Sequence, residues 1–212
     1  MEKSRKTKKA ILLVLLLLVI ALSIGFAAFD SQMFIKSSAT VTGDSSSFSV
    51  VFSTSKTESK GGTPTMSGNA TDADEFTAGV TTVEGLVAEF TNPGQTATWE
   101  MYAYNAGEHD AYLNDIVIGA ITGTAKTGTT QDKVDSAVDG MKISITIGEG
   151  TGAKTFDVST DDSNQTLGSH KLAKGSGEKV TVTLEYTAGS AKADGDFDVS
   201  IGDIKLVYES AD

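Results

Sequence analysis

The chain has 212 residues and a formal net charge of −11, with 28 acidic against 17 basic side chains. A surface of that sign repels phosphate backbones and anionic lipid heads, which argues against nucleic acid as a partner. Cysteine is absent, so no disulfide staples the fold and no thiol chemistry is open to it.

Residues 10–29, AILLVLLLLVIALSIGFAAF, are apolar apart from Ser23 and Gly25 and follow Lys3, Arg5, Lys6, Lys8 and Lys9. Twenty such residues in a helix rise about 30 Å, the thickness of a bilayer's hydrocarbon core. The basic cluster stays on the cytoplasmic side, so the chain beyond residue 29 is expected outside the membrane. A leader peptidase needs small side chains one and three residues before the cut. Ala27 and Gly25 meet that need and make Ala28 the first exported residue, whereas a cut after Ala28 would place Phe26 in the tighter pocket. Two fates stay open, a cleaved signal peptide (residues 1–27) or a retained signal anchor. The exported part would carry 12 basic and 27 acidic residues, because five of the seventeen basic ones and Glu2 precede it.

Beyond residue 30 the pattern is all-β: short alternating apolar runs, many glycines and threonines, and two prolines. Residues 28–47 hold a first strand, with Met33, Ile35, Ala39 and Val41 alternating with polar neighbours, and residues 48–212 form a sandwich domain. Phe48, Val50 and Phe52 share a face of the next strand. Residues 53–74 are rich in Ser, Thr and Gly and are expected as a long loop or arm. Leu86, Ala88 and Phe90 mark another strand. Asn92-Pro93-Gly94-Gln95 then turns the chain into Trp99, Met101 and Ala103. Tyr102 and Tyr104 lie on the opposite face, as an exposed patch open to a sugar or as cross-strand pairs. Trp99 is expected in the core.

A strand over Leu113 to Ile118 precedes the one predicted helix, Gln131 to Val138, with Thr130 as its cap and Gly140 as its stop. Met141, Ile143, Ile145 and Ile147 alternate cleanly, as do Val180, Val182, Leu184 and Tyr186, while Phe156 and Val158 make a shorter strand. In the last strand Phe197, Val199 and Ile201 are out of phase with Ile204, Leu206 and Tyr208. A bulge at Gly202-Asp203, or a bend that carries the strand between two sheets, restores the inward face. The expected architecture is a jelly roll or β-sandwich of about 8–10 strands with one short helix, behind an N-terminal apolar helix.

No His-Glu-x-x-His, Gly-x-Ser-x-Gly or phosphate-loop motif occurs, so no enzyme and no cofactor is expected. His109 and His170 read as surface turn residues rather than a ligand pair. Asp194, Asp196 and Asp198 could offer oxygens to one Ca²⁺, but no glutamate follows at EF-hand spacing and Asp-Gly is a common turn. Asp72, Asp74, Glu75, Asp157, Asp161 and Asp162 read as solvated turns. Asn69-Ala70-Thr71 and Asn164-Gln165-Thr166 are formal sequons expected to stay bare.

The junction Gly25-Phe26-Ala27-Ala28-Phe29-Asp30, the nearby Ala39-Thr40-Val41, and Phe48-x-Val50-x-Phe52 resemble the TasA/camelysin group of Gram-positive surface and biofilm-matrix proteins. Pro93-Gly94-Gln95 before an aromatic strand, Asn105-x-Gly107, and Leu172-x-x-Gly175 are similar to elements of the same group. The resemblance implies a jelly roll released by a dedicated signal peptidase that recognises Gly25, Ala27 and Ala28. It also implies a secreted or cell-surface structural protein that assembles with copies of itself. The donor strand would lie within residues 28–41, with Met33, Ile35 and Val41 seated in the next subunit. The rival reading is a monomeric surface-binding module held at the membrane by its N-terminal helix alone.

Overall fold

The computed structural model describes residues 48–158 and 165–210, all within one compact unit, Gly43–Asp212. The apolar segment 10–29, the junction residues Gly25, Ala27 and Ala28, the first-strand residues Met33, Ile35 and Val41, and Asp161, Asp162 and Asn164 lie outside the described residues. The described chain is a β-sandwich of antiparallel sheets with a single α-helix among the described residues. It holds more strands than the alternation marks, because several span only two to four residues.

One layer is a continuous sheet, flat only in the sense that it has no crease. Its centre is β12 (Gly177–Tyr186), paired on one side with β6 (Thr96–Asn105) and on the other with β9 (Met141–Ile147), which in turn pairs with β10 (Lys154–Val158). Trp99, Met101, Val182, Leu184, Ile143 and Ile145 fill its inner face and are buried, as their alternation predicts. Trp99 Nε1–H donates to the Asp72 carbonyl (3.0 Å), so the buried indole keeps its hydrogen bond.

The outer edge of β6 is shared by two short strands. β1 (Val50–Ser53) pairs with Tyr102 to Asn105, and β2 (Thr65–Gly68) with Ala97 to Glu100. Residues 53–74, expected as a loop, are therefore largely threaded into the sandwich: β1 ends there, β2 follows, and β3 (Ala70–Asp72) crosses to the other layer. All of β2 is exposed, so burial imposes no apolar alternation on it and the backbone ladder alone holds it in place. The intervening residues 54–64 fold over the outer face. Ser53, fully buried, accepts from the Ser55 and Lys60 amides and donates to the Glu58 carbonyl (2.9, 3.0 and 2.7 Å). Gly177 makes room for the crossing, since a Cβ there would lie 2.3 Å from the Lys56 carbonyl oxygen.

The opposite layer is creased. β11 (Gln165–Leu172), β7 (Ala111–Ile118), β14 (Ile204–Ser210) and β4 (Thr82–Val83) form one half. β8 (Ile121–Ala125), β13 (Phe197–Ile201), β5 (Leu86–Phe90) and β3 form the other. Ile118 pairs with Ile204 and Ile121 with Ile201, so the same register resumes beyond the gap. Val83 opposite Ile204 and Leu86 opposite Ile201 repeat the pattern. Three strands thus change phase along one line, at Glu84-Gly85, Gly119-Ala120 and Gly202-Asp203. Of the two options read from the sequence, the bend between sheets is the one realised.

Glycine is what lets the line close. Gly119 N–H donates to the Asp203 carbonyl (2.8 Å) and Gly202 N–H to the Ala120 carbonyl (2.9 Å). A Cβ on Gly202 would stand 2.8 Å from Gly119 Cα, too close for any side chain. The layers meet through Phe90, Phe197 and Tyr186, whose rings pack edge-on at 6.0 and 5.7 Å about the tyrosine.

The helix α1 (Gln131–Val138) has the expected bounds, with Val134 and Ala137 buried. Thr130 caps it through its carbonyl rather than its hydroxyl, accepting from the Lys133 and Val134 amides (both 3.1 Å). The helix rests on Gly123 of β8, where a Cβ would strike Val134 at 2.4 Å.

Candidate functional site

β1 is the first described strand, and the turn after β6 fixes its start. Asn105 is fully buried; its amide donates to the carbonyls of His109 (2.8 Å) and Leu172 (3.1 Å), and its Oδ1 accepts from the Gly107 amide (3.0 Å). The Ala106 and Gly107 amides both donate to the Ser49 carbonyl (2.7 and 3.1 Å), and Gly175 N–H donates to the Asn105 carbonyl (2.9 Å). The two short motifs Asn105-x-Gly107 and Leu172-x-x-Gly175 therefore meet at one buried amide. Its bonds clamp the residues just before β1.

Beside this clamp lies a narrow slot between β1 and β14, lined by Val50, Val51, Phe52, Thr81, Ala103, Leu206 and Tyr208. Its enclosed space is about that of one water molecule, far below the roughly 300–1,000 Å³ of small-molecule pockets, so it is a seam at a strand edge and not a ligand pocket. On the slot side β4 pairs only with Ile204 and Lys205, and among the described residues no strand flanks Leu206, Val207 or Tyr208 there.

The slot is lined mostly by apolar side chains, with the Tyr208 hydroxyl as a buried polar group beside it. Tyr208 is 9% exposed, and its hydroxyl has no hydrogen-bond partner among the described residues. Burial, and then the charge of Glu178, push its phenol well above the ordinary tyrosine range. Glu178 stands opposite Ala103 on the inner face of β12 and hydrogen-bonds His170 of β11 across the two layers. His170 is thus a strand residue whose side chain is only 15% exposed, not the surface turn residue expected, because an inward carboxylate gives it a partner. His109 is exposed in its turn, as expected.

The aspartates weighed as calcium ligands go to three different partners. Asp194 pairs with Lys133, Asp196 accepts from the Thr91 hydroxyl (2.7 Å), and Asp198 pairs with Lys126 (2.7 Å). Lys126 also meets Glu89, and these two carboxylates hold its ammonium up to about 12. Lys133 keeps the Asp194 carboxyl below its ordinary value. Among the described residues no three acidic or imidazole groups converge as a metal site would require. Asp72 and Asp157 belong to strands rather than turns, and the Asn69 side chain donates to the Glu89 carbonyl (2.9 Å).

Tyr102 and Tyr104 share the outer face of the flat sheet, both half-buried. Between β1 and β2 that face opens into a shallow notch, walled by Thr54, Thr63, Thr65 and Tyr102 over the Lys179–Glu100 ion pair (2.6 Å). Nothing in the sequence marks this notch, since it arises where an edge strand is interrupted.

No family model matches the chain, and no curated protein matches it. Among solved structures the chain is similar to TmCBM61, a carbohydrate-binding module in complex with β-1,4-galactotriose, at 15% identity and a TM-score of 0.37. The likeness covers 68% of this chain and 88% of that one.

Proposed function

We propose that the chain is an exported structural protein of the cell surface or biofilm matrix, a TasA-like jelly roll that assembles by strand donation. Its partners would be copies of itself and the signal peptidase that cuts at Ala28, and its location the outside of a Gram-positive-type cell. The observation that carries this reading is the flank of β14 at Leu206 to Tyr208, which has no described partner strand and opens into the apolar slot against β1. An added strand would gain main-chain hydrogen bonds along that flank and lay side chains such as Met33, Ile35 and Val41 over the mouth of the slot.

Deleting residues 30–42 tests it. The expected product is a folded monomer, by circular dichroism and size exclusion, from a parent that forms fibres in negative stain. An unfolded or aggregated deletion protein would show that the strand completes its own domain. A parent that stays monomeric at high concentration would favour the membrane-anchored surface module, whose open outer face is the feature that suits it.

A further inference from the structure

The outer face of the flat sheet carries ordered rows of hydroxyls. Cross-strand pairing aligns Ser67, Thr98, Thr183 and Ser144 in one row, ending at Asp157. The next row runs Thr65, Glu100, Thr181, Thr146 and Thr155. Strands lie about 4.8 Å apart, so each five-position row spans roughly 19 Å.

The hydroxyls of Ser67, Thr98, Thr183, Ser144 and Thr181 make no hydrogen bond to other described residues, whereas Thr146 and Thr155 bond each other at 2.8 Å. Threonine is stiff at χ1, so these groups sit at fixed heights and little rotamer freedom is lost on binding. Tyr102 and the notch border the rows on one side.

We infer that this face binds a neutral polysaccharide chain. An apolar partner would leave the hydroxyls unpaired, at a cost for each. An anionic polymer would meet a protein of net charge −11 and, within the rows, Glu100 and Asp157. The one lysine at the notch is already neutralised by Glu100. Sugar hydroxyls can donate and accept along the rows, while their C–H faces pack on threonine methyls and the Tyr102 ring. The inference rests on the hydroxyl rows and is independent of fibre assembly.

Affinity electrophoresis of the full chain, in a zwitterionic detergent free of sugar, tests it against soluble dextran, galactan, hydroxyethyl-cellulose and glycol-chitin, with alginate as the anionic control. Retardation by at least one neutral polymer and not by alginate is expected. The double variant Thr98→Val, Thr183→Val should bind about tenfold more weakly with an unchanged melting temperature, and Thr98→Ser, Thr183→Ser should restore binding. Thr122→Val and Thr124→Val, exposed on β8 of the other layer, should bind as the parent does. No retardation by any neutral polymer overturns the inference. So does equal retardation by alginate, or an equal loss in the β8 variants. Loss of self-association in the Thr98, Thr183 double variant, with polymer binding intact, would overturn it by assigning the face to a second copy.

Discussion

The flat sheet and the creased layer opposite carry the same alternation of apolar and polar residues, yet they keep it in different ways. In β6 the phase runs unbroken through ten residues and in β12 from Val180 to Tyr186, and register is held by large inward side chains such as Trp99 and Leu184. In the creased layer three neighbouring strands shift phase along one line, and it is missing side chains, at Gly85, Gly119 and Gly202, that hold register. One layer depends on what fills its interior and the other on what is left out of its fold line. Volume removed from the first, or added to the second, should therefore destabilise each.

The largest effect belongs to the flat sheet. Ile145→Ala empties a fully buried position between β12 and β10, and should cost about 2–5 kcal/mol in urea unfolding. An unchanged midpoint would show that its interior face has been misassigned.

The crease should respond to the opposite change. Gly202→Ala sets a methyl 2.8 Å from Gly119 Cα, and Gly119→Ala sets one 2.9 Å from Gly202 Cα. Each should cost about 1–3 kcal/mol by overpacking. The double variant should cost less than the two together, because one opened crease admits both methyls. Strict additivity would mean that the two glycines act separately.

These two responses also mark how far the sequence could be read. Ile143, Ile145, Val182 and Leu184 are legible because a half-buried strand must alternate, and the phase slip at Gly202-Asp203 is legible for the same reason. The matching slip at Gly85 follows a strand of two residues, and β8 beyond Gly119 reads Ile-Thr-Gly-Thr-Ala, with one large apolar residue, so no alternation on both sides exposes either. Exposed β2 has no apolar face to betray it, and β4 has two residues. The slot, the notch and the His170–Glu178 pair depend on which strands become neighbours, a relation that periodicity along one strand does not encode.

The smallest effect lies outside both cores. Lys133→Met removes the cation that holds the Asp194 carboxyl low. A lowered carboxylate contributes stability above its unfolded-state value and loses it as the pH falls through the folded one. The melting temperature of the variant should therefore fall slightly below the parent's at pH 7, and the gap should close as the pH drops below about 4. A gap that persists in acid would assign the loss to packing of the lysine stem.

Residues 54–64 leave the edge of β6 at Tyr102 and return to it at Glu100, two positions along one strand. Chain length at this point is thereby decoupled from architecture. Doubling the excursion would add only about 0.6 kcal/mol of closure entropy, so a longer segment would leave the registers of β1 and β2 on β6 unchanged. The same splice shortens the edge that an approaching strand would meet, to four residues, a gap, and four more. That flank is poorly suited to lengthwise pairing, and a chain seeking a continuous ladder has to look elsewhere on the molecule.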